Sequence, residues 1–399
     1  MSIKTVAVIG SGLMGHGIAQ VAAMSGQEVS LIDISDDLLT HAMTKIGASL
    51  EKLERKGKLT TSCREIEKRI HPRTDIKTGV LNADFIIEAV LEDITIKQNI
   101  FRAVETHAPD HAIIATNTSG LSVTAISDAI ENKERAIGMH WMNPPQLMKL
   151  VEIVRSRYTT EQTFKTTLEL CAGYHKETVL AQKDVWYFLA TRARAGFSFE
   201  ANLMYLQRKA SVVEIDTCIR NQLGLPMGEF ELMDLTGAVD IRTKGMQSTE
   251  AILKTTPEFE PWPAFVTVHR YLVDNLWGPM SAKGLSGVKT GKGFYDYKES
   301  KLNRAGIAEE KSPNPIHPLE ILAPGLNCAA WCVTNGVGSV EDVNRTFRFA
   351  FNWPKGIFEY IDDYGIDRVL AVLRAKRETA LEVVKDFYQA DPLLLNWPK

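Results

Sequence analysis

Along the first half of the chain, short β-branched and apolar runs alternate with amphipathic stretches whose apolar side chains return every three or four positions. The runs are Val6 to Ile9, Glu28 to Ile32, Phe85 to Glu88, Ile113 to Thr116 and Ala136 to Met139. Their alternation with helical patterns is the βαβ rhythm of a parallel sheet covered by helices. After about Lys183 the rhythm stops, and long segments such as Phe197 to Lys209 and Ile366 to Tyr388 predict helices instead. The pattern therefore predicts an α/β domain over residues 1–182 followed by an all-α region.

The all-α region repeats itself. Pro226-Met227-Gly228-Glu229-Phe230-Glu231 returns as Pro354-Lys355-Gly356-Ile357-Phe358-Glu359, and the same offset carries Val212 onto Val340, Ile215 onto Val343, Asp234 onto Asp362 and Gly237 onto Gly365. So many positions in one register point to duplication rather than a recurrent proline-glycine turn. Two related helical domains are expected, at 183–298 and 319–399, joined by a charged and then proline-rich linker at 299–318.

Composition narrows the function classes. A chain of 399 residues exceeds what one hydrophobic core normally organises, in keeping with several domains. With 46 Lys and Arg against 49 Asp and Glu, the formal net charge of -3 argues against nucleic acid as the main partner and leaves room for a small anionic ligand. Cys63, Cys171, Cys218, Cys328 and Cys332 lack metal-ligand spacing, so no metal is expected, and their sparseness fits a reducing compartment. Neither a secretory leader nor a membrane-spanning apolar run is read, and a cytoplasmic protein without a membrane partner is expected.

Gly10-Ser11-Gly12-Leu13-Met14-Gly15 follows the first strand and opens a helix through Ile18, Ala19 and Val21. In that context Gly10 permits a tight turn, Gly12 lets the backbone approach a pyrophosphate, and Gly15 allows close packing of helix on strand. Asp33 ends the next strand, where its carboxylate can accept hydrogen bonds from a ribose 2′-hydroxyl and would repel a 2′-phosphate. A Rossmann-like, doubly wound domain that prefers NAD to NADP follows.

Polar groups just after the later strands face the ligand crevice of such sheets. Asn117-Thr118-Ser119 follows one strand and His140-Trp141-Met142-Asn143-Pro144 another, while Glu152 sits in the apolar run Leu150-Val151-Glu152-Ile153-Val154. A histidine held by a carboxylate can take the proton of a secondary alcohol while hydride leaves for nicotinamide. Each residue alone has a plainer reading: His140 as a structural histidine, Ser119 as the cap of a helix beginning near Val123, Glu152 as a partner of Lys149. Their conjunction favours the catalytic one.

These residues resemble the L-3-hydroxyacyl-CoA dehydrogenases over about residues 3–297. The family's glycine loop is similar to Gly10, Gly12, Leu13, Met14 and Gly15, its adenine-ribose acid to Asp33, and its NAD-contacting glutamate and lysine to Glu92 and Lys97. The resemblance implies that Ser119, His140 and Glu152 are catalytic, that Asn143 fixes the nicotinamide, and that Lys289 in Lys289-Thr290-Gly291-Lys292-Gly293-Phe294-Tyr295 lies near it. Ser49 and Lys56 fall on the family's CoA contacts, although Lys56 would otherwise read as part of a solvated helix face. The implied reaction converts L-3-hydroxyacyl-CoA and NAD reversibly to 3-ketoacyl-CoA and NADH, with a short acyl chain. The duplicated helical domain implies a monomer or a homodimer.

One stretch departs from the family. After Lys183-Asp184 the family continues with threonine, proline, glycine and phenylalanine and then an asparagine-arginine pair, whereas here the chain reads Val185-Trp186-Tyr187-Phe188-Leu189-Ala190-Thr191-Arg192. Thr191 stands at the catalytic asparagine, and losing such a donor outright costs on the order of 100 to 1000-fold in rate. Trp186 and Tyr187 either narrow the acyl pocket or pack the hinge. The competing functions are a dehydrogenase of a 3-hydroxy acid or sugar acid without CoA, and a catalytically impaired NAD-binding or CoA-binding homologue.

Overall fold

Eight strands among the described residues form one sheet: β1 (Thr5–Ile9), β2 (Glu28–Ile32), β3 (Ile70–Arg73), β4 (Phe85–Glu88), β5 (Ile113–Thr116), β6 (Ala136–Trp141), β7 (Leu150–Val154) and β8 (Glu177–Ala181). Their order is β3-β2-β1-β4-β5-β6-β7-β8. The computed structural model describes residues 3–256, 259–298, 301–302 and 316–398, and the chain divides into two compact units, Met1–Asp184 and Val185–Lys399. Among the described residues no helix is long and apolar enough to cross a membrane.

The first unit is doubly wound about β1, with β4, β5 and β6 entirely buried. Three features differ from the sequence expectation. Strands β3, β7 and β8 are additional to the five runs; β7 is the apolar run around Glu152, whereas β3 and β8 lie at sheet edges and are half exposed, so their sequences lack a continuous apolar run, and β3 carries Pro72, which an edge tolerates. Strand β6 continues past Met139 through His140 and Trp141. Strand β7 runs antiparallel to β6, so the sheet is not wholly parallel.

Helix Asp36–Arg55 shows how the covering layer is specified. Ser35 caps it by accepting from the Leu38 N–H, Asp36 and Asp37 sit in its first turn and Lys52 and Arg55 in its last, and Leu39, Ala42, Ile46 and Leu50 form its buried stripe.

The second unit is helical, and the duplication is visible in its hydrogen bonds. Ser211 and Glu214 form a capping box on helix Val212–Leu223, and Ser339 and Asp342 form the same box on Val340–Ala350. Asp216 accepts from the backbone of Phe230 and Glu231, while Asn344 accepts from Phe358. Arg220 pairs with Glu231 and Arg348 with Glu359. A Cβ on Gly228 would lie 2.1 Å from Asp216 Cγ, and one on Gly356 2.3 Å from Asn344 Cγ, which is why the repeated turn keeps its glycine.

The leading helices of the two copies, Ala190–Leu206 and Leu319–Thr334, pack against each other. The first begins seven residues earlier than the segment read from sequence. The segment Ile366 to Tyr388 is not one helix: an α-helix ends at Thr379 and a 3-10 helix, Glu382–Tyr388, follows, redirecting the chain so that Val384, Phe387 and Tyr388 are buried. Of the expected linker, 299–300 and 303–315 lie outside the described residues; Lys301–Leu302 pairs antiparallel with Tyr297–Lys298.

Candidate active site

The glycine loop binds the end of β1 to its neighbours. Gly10 donates to Ile32 O and has φ +95°, and a Cβ there would lie 2.6 Å from Ala89 O. At Gly15 a Cβ would fall 1.7 Å from Gly10 O, so only glycine lets the helix Gly15–Met24 start this close to the strand. A Cβ on Gly12 would meet nothing within 4 Å. The loop is therefore open at the one glycine expected to face a pyrophosphate, at a helix N-terminus that favours negative charge. Leu13 is exposed, and Met14 is partly buried against the core.

Asp33 is anchored beside that loop: its Oδ2 accepts from Ser11 N at 2.7 Å and Ser11 Oγ at 2.6 Å, and its Oδ1 from Ile34 N at 2.7 Å. The carboxylate is half buried and keeps further lone pairs for a ribose diol. His16, which sequence reasoning passed over, braces the loop from within the helix. Its Nδ1 donates to Gly12 O at 2.6 Å, and burial holds the imidazole below its usual range. These residues fit a dinucleotide.

Beyond β4 and β5 lies a second constellation. Lys97, fully buried, reaches Glu88 Oε1 at 2.8 Å and Glu92 Oε2 at 3.4 Å. Glu88 also accepts from Thr116 Oγ1 at 2.6 Å and Val90 N at 2.8 Å. Glu92 Oε1 accepts from Thr118 Oγ1 at 2.6 Å and Ser119 N at 2.8 Å. Lys97 was expected at the cofactor, but its ammonium is enclosed by two carboxylates. It can act on a ligand through Glu92, whose side chain keeps 26% of its surface. Glu88 went unnoticed in the sequence because an acid at the end of an apolar strand has no visible partner until Lys97 is folded back onto it.

Ser119 is half buried and does not cap the following helix; Ser122 does, accepting from Ala125 N at 3.1 Å. Asp184, buried at the end of the unit, accepts from Ser122 Oγ, Val123 N and Thr124 N and so ties down the loop after Ser119. Desolvation raises its carboxyl above the usual carboxylate range, against those hydrogen bonds.

Across the β6–β7 pair His140 lies opposite Glu152, with Nδ1 2.8 Å from Glu152 Oε2. His140 is 6% exposed and Glu152 is fully buried. The twelve-residue spacing seen in the sequence is thus one hairpin, and the antiparallel register puts imidazole and carboxylate side by side. With Nδ1–H donating to the carboxylate, the lone pair that can accept a proton is on Nε2. Asn117 Oδ1 holds the strand by accepting from Trp141 N at 2.8 Å. Asn143 is exposed in the β6–β7 loop, whose Pro145 and Met148 carbonyls both accept from Lys176 Nζ at 2.6 Å. Ser49 and Lys56 are two turns apart on one side of the helix after β2, Ser49 half buried and Lys56 exposed at the C-cap.

The second unit carries Thr191 and Lys289. Lys289 is exposed in the turn Val288–Thr290, and the signature that follows it wraps Asp234, which accepts from Phe294 N, Tyr295 N and Tyr297 Oη at 3.0, 2.9 and 2.9 Å. Thr191 is half exposed in the first turn of Ala190–Leu206. Trp186 and Tyr187 pack within this unit: Trp186 is 2% exposed, stacks on Tyr187 at 5.0 Å and meets Phe265 edge-on at 5.6 Å.

Comparison with known proteins assigns the family. A family model described as "3-hydroxyacyl-CoA dehydrogenase, NAD binding domain" matches residues 5–185, and one described as "3-hydroxyacyl-CoA dehydrogenase, C-terminal domain" matches twice, at 188–297 and 320–396. The chain is 35% identical to mouse mitochondrial hydroxyacyl-coenzyme A dehydrogenase over 303 residues, 74% of this chain and 92% of the relative. It is also 35% identical to Escherichia coli 3-hydroxyadipyl-CoA dehydrogenase over 320 residues, 79% of this chain and 64% of that one. A crystal structure of 3-hydroxybutyryl-CoA dehydrogenase from Escherichia coli K12 superposes with a TM-score of 0.79 at 26% identity, covering 99% of this chain and 98% of the other. An NAD-type glycine loop, a histidine-carboxylate pair on adjacent strands and two helical copies matched by one family model converge: the chain belongs to the NAD-dependent 3-hydroxyacyl-CoA dehydrogenases.

Proposed function

We propose that the protein interconverts short-chain (S)-3-hydroxyacyl-CoA, such as 3-hydroxybutyryl-CoA, and the 3-ketoacyl-CoA. The observation that carries this reading is the His140–Glu152 pair at 2.8 Å. In oxidation the substrate hydroxyl gives its proton to His140 Nε2, and Glu152 stabilises the imidazolium; in reduction the proton returns. NAD, when bound, accepts the hydride from C3 and supplies it in reverse. Ser119, held through its backbone by Glu92, donates to the reacting oxygen, and Thr191 adds a second hydroxyl. Gly10, Gly12, Leu13, Met14, Gly15 and Asp33 hold the adenosine and pyrophosphate end, Asn143 and Lys289 the nicotinamide end, and Ser49 and Lys56 the CoA. Lys97 serves the cofactor by positioning Glu92. Full-length likeness to a 3-hydroxybutyryl-CoA dehydrogenase supports the short chain, and the sparseness of cysteines, five in 399 residues, supports a reducing, cytoplasmic setting.

Following NADH oxidation tests the substrate class. Acetoacetyl-CoA is expected to exceed a ten-carbon 3-ketoacyl-CoA in kcat/KM by at least about tenfold, the order of discrimination a few methylenes supply. Free acetoacetate and a sugar acid are expected to be inert. Equal turnover of free acetoacetate would instead assign a 3-hydroxy acid without CoA, and NADH binding without any turnover an impaired homologue.

We also infer a monomer, because the second helical copy covers the leading helix of the first within one chain. Sedimentation at micromolar concentration is expected to give the mass of one chain; a stable dimer overturns this inference and leaves the chemistry untouched.

A further inference from the structure

The turn that replaces the family's proline and glycine is held in a conformation that its residues resist. Tyr187 has φ +68° and Phe188 φ +52°, two consecutive non-glycine residues in the left-handed region. Such strain persists where the surroundings over-determine it, and here they do so from three sides. The Tyr187 hydroxyl and His269 Nε2 share a hydrogen bond of 3.0 Å. His269 is fully buried and boxed by Trp186, Phe199 and Trp277, with ring centroids at 4.8, 5.7 and 5.3 Å. On the backbone side, Arg192 N donates to Tyr187 O at 3.2 Å and Arg192 Nη1 to Trp186 O at 3.1 Å. The same guanidinium is fixed by both oxygens of buried Glu260, at 2.6 and 2.9 Å, and lies 3.8 Å from the ring centre of Trp331.

Thr191 lies within this clamp, between Tyr187 and Arg192. Its backbone position is set by a turn anchored at Tyr187 and by Arg192, its immediate neighbour. Threonine reaches less far than the asparagine for which it stands, so its hydroxyl is useful only where the backbone carries it.

We propose that Tyr187, anchored by His269, is a positioning residue for Thr191, and that the two form a matched pair replacing the glycine and asparagine of the family. This rests on the reading of Thr191 as a donor to the substrate oxygen. The pair is tested by Tyr187→Gly, Thr191→Asn and the double variant, assayed for kcat and KM with acetoacetyl-CoA and NADH, for NADH affinity by fluorescence and for Tm. Each single change is expected to lower kcat by about tenfold or more, and the double variant to recover to within about threefold of the unmodified enzyme, with NADH affinity constant throughout. Single effects that simply multiply in the double variant overturn the matched pair. Should Tyr187→Gly not fold, Tyr187→Phe removes only the bond to His269; a drop in kcat of at least about threefold at unchanged NADH affinity supports the anchor, and an unchanged kcat refutes it. Thr191→Val separates the underlying reading: undiminished kcat in that variant removes Thr191 as a donor, whatever the cycle shows.

Discussion

Replacing His140 by glutamine is expected to lower kcat by about 10²–10⁴-fold, the range that a positioned general base contributes, while leaving NADH affinity unchanged. Glutamine fills similar space but cannot carry the proton between substrate and solvent. The geometry makes the residue hard to replace: the imidazole is nearly enclosed, its Nδ1 is 2.8 Å from a fully buried carboxylate, and both sit on paired strands rather than on mobile loops. Steady-state rates with acetoacetyl-CoA and NADH titration by fluorescence separate chemistry from binding. A kcat within about tenfold of the unmodified enzyme, outside the range expected of a general base, would remove His140 from the proton path. Glu152→Gln is expected to act in the same direction with a smaller loss, because the ring stays in place but its imidazolium loses a charge partner.

The second large effect falls on stability. Lys97→Met leaves Glu88 and Glu92 without their shared cation, and breaking a buried ion pair by removing one partner costs about 3–5 kcal/mol. Glu88 is fully buried, and its hydrogen bonds from Thr116 and Val90 solvate the carboxylate only in part. Urea unfolding followed by circular dichroism measures the loss. The double variant Glu88→Gln/Lys97→Met is expected to recover part of it, since the amide needs no counter-charge. If Lys97→Met costs less than about 1 kcal/mol, as an exposed pair would, the lysine is not the compensating charge. Weakened NADH affinity in the same variant would show that Glu92 depends on Lys97 for its orientation.

Much of this site can be read before folding because its residues lie in short local motifs. The glycine loop, Asp33 and the paired run around His140 are each set by a few neighbouring positions, and backbone geometry at Gly10 and Gly15 enforces them through contacts of 2.6 and 1.7 Å that any side chain would make. The internal repeat is legible for a related reason: Gly228 and Gly356 are each pressed against the side chain fourteen or fewer residues away that receives the next turn's N–H groups. What the sequence left open lies where partners are distant. The plainer reading of Ser119 as a helix cap falls instead to Ser122, and Asp184, which holds that cap, is 62 residues away. Edge strands β3 and β8 escape a search for apolar runs because one side of each faces away from the core.

The sequence by itself determined the order of the α/β and helical regions, the duplication, the dinucleotide loop and the identity of the candidate acid-base pair, because these depend on local periodicity and on residue types at short spacing. Only the tertiary structure decided that His140 and Glu152 are cross-strand neighbours, since a run of apolar residues does not state whether it pairs parallel or antiparallel. It likewise enclosed Lys97 between two carboxylates, and bent Tyr187 and Phe188 into left-handed turns against Arg192 and His269. Buried charge and backbone strain are settled by what surrounds a residue on every side, and that surrounding is assembled from segments the chain brings together only when it folds.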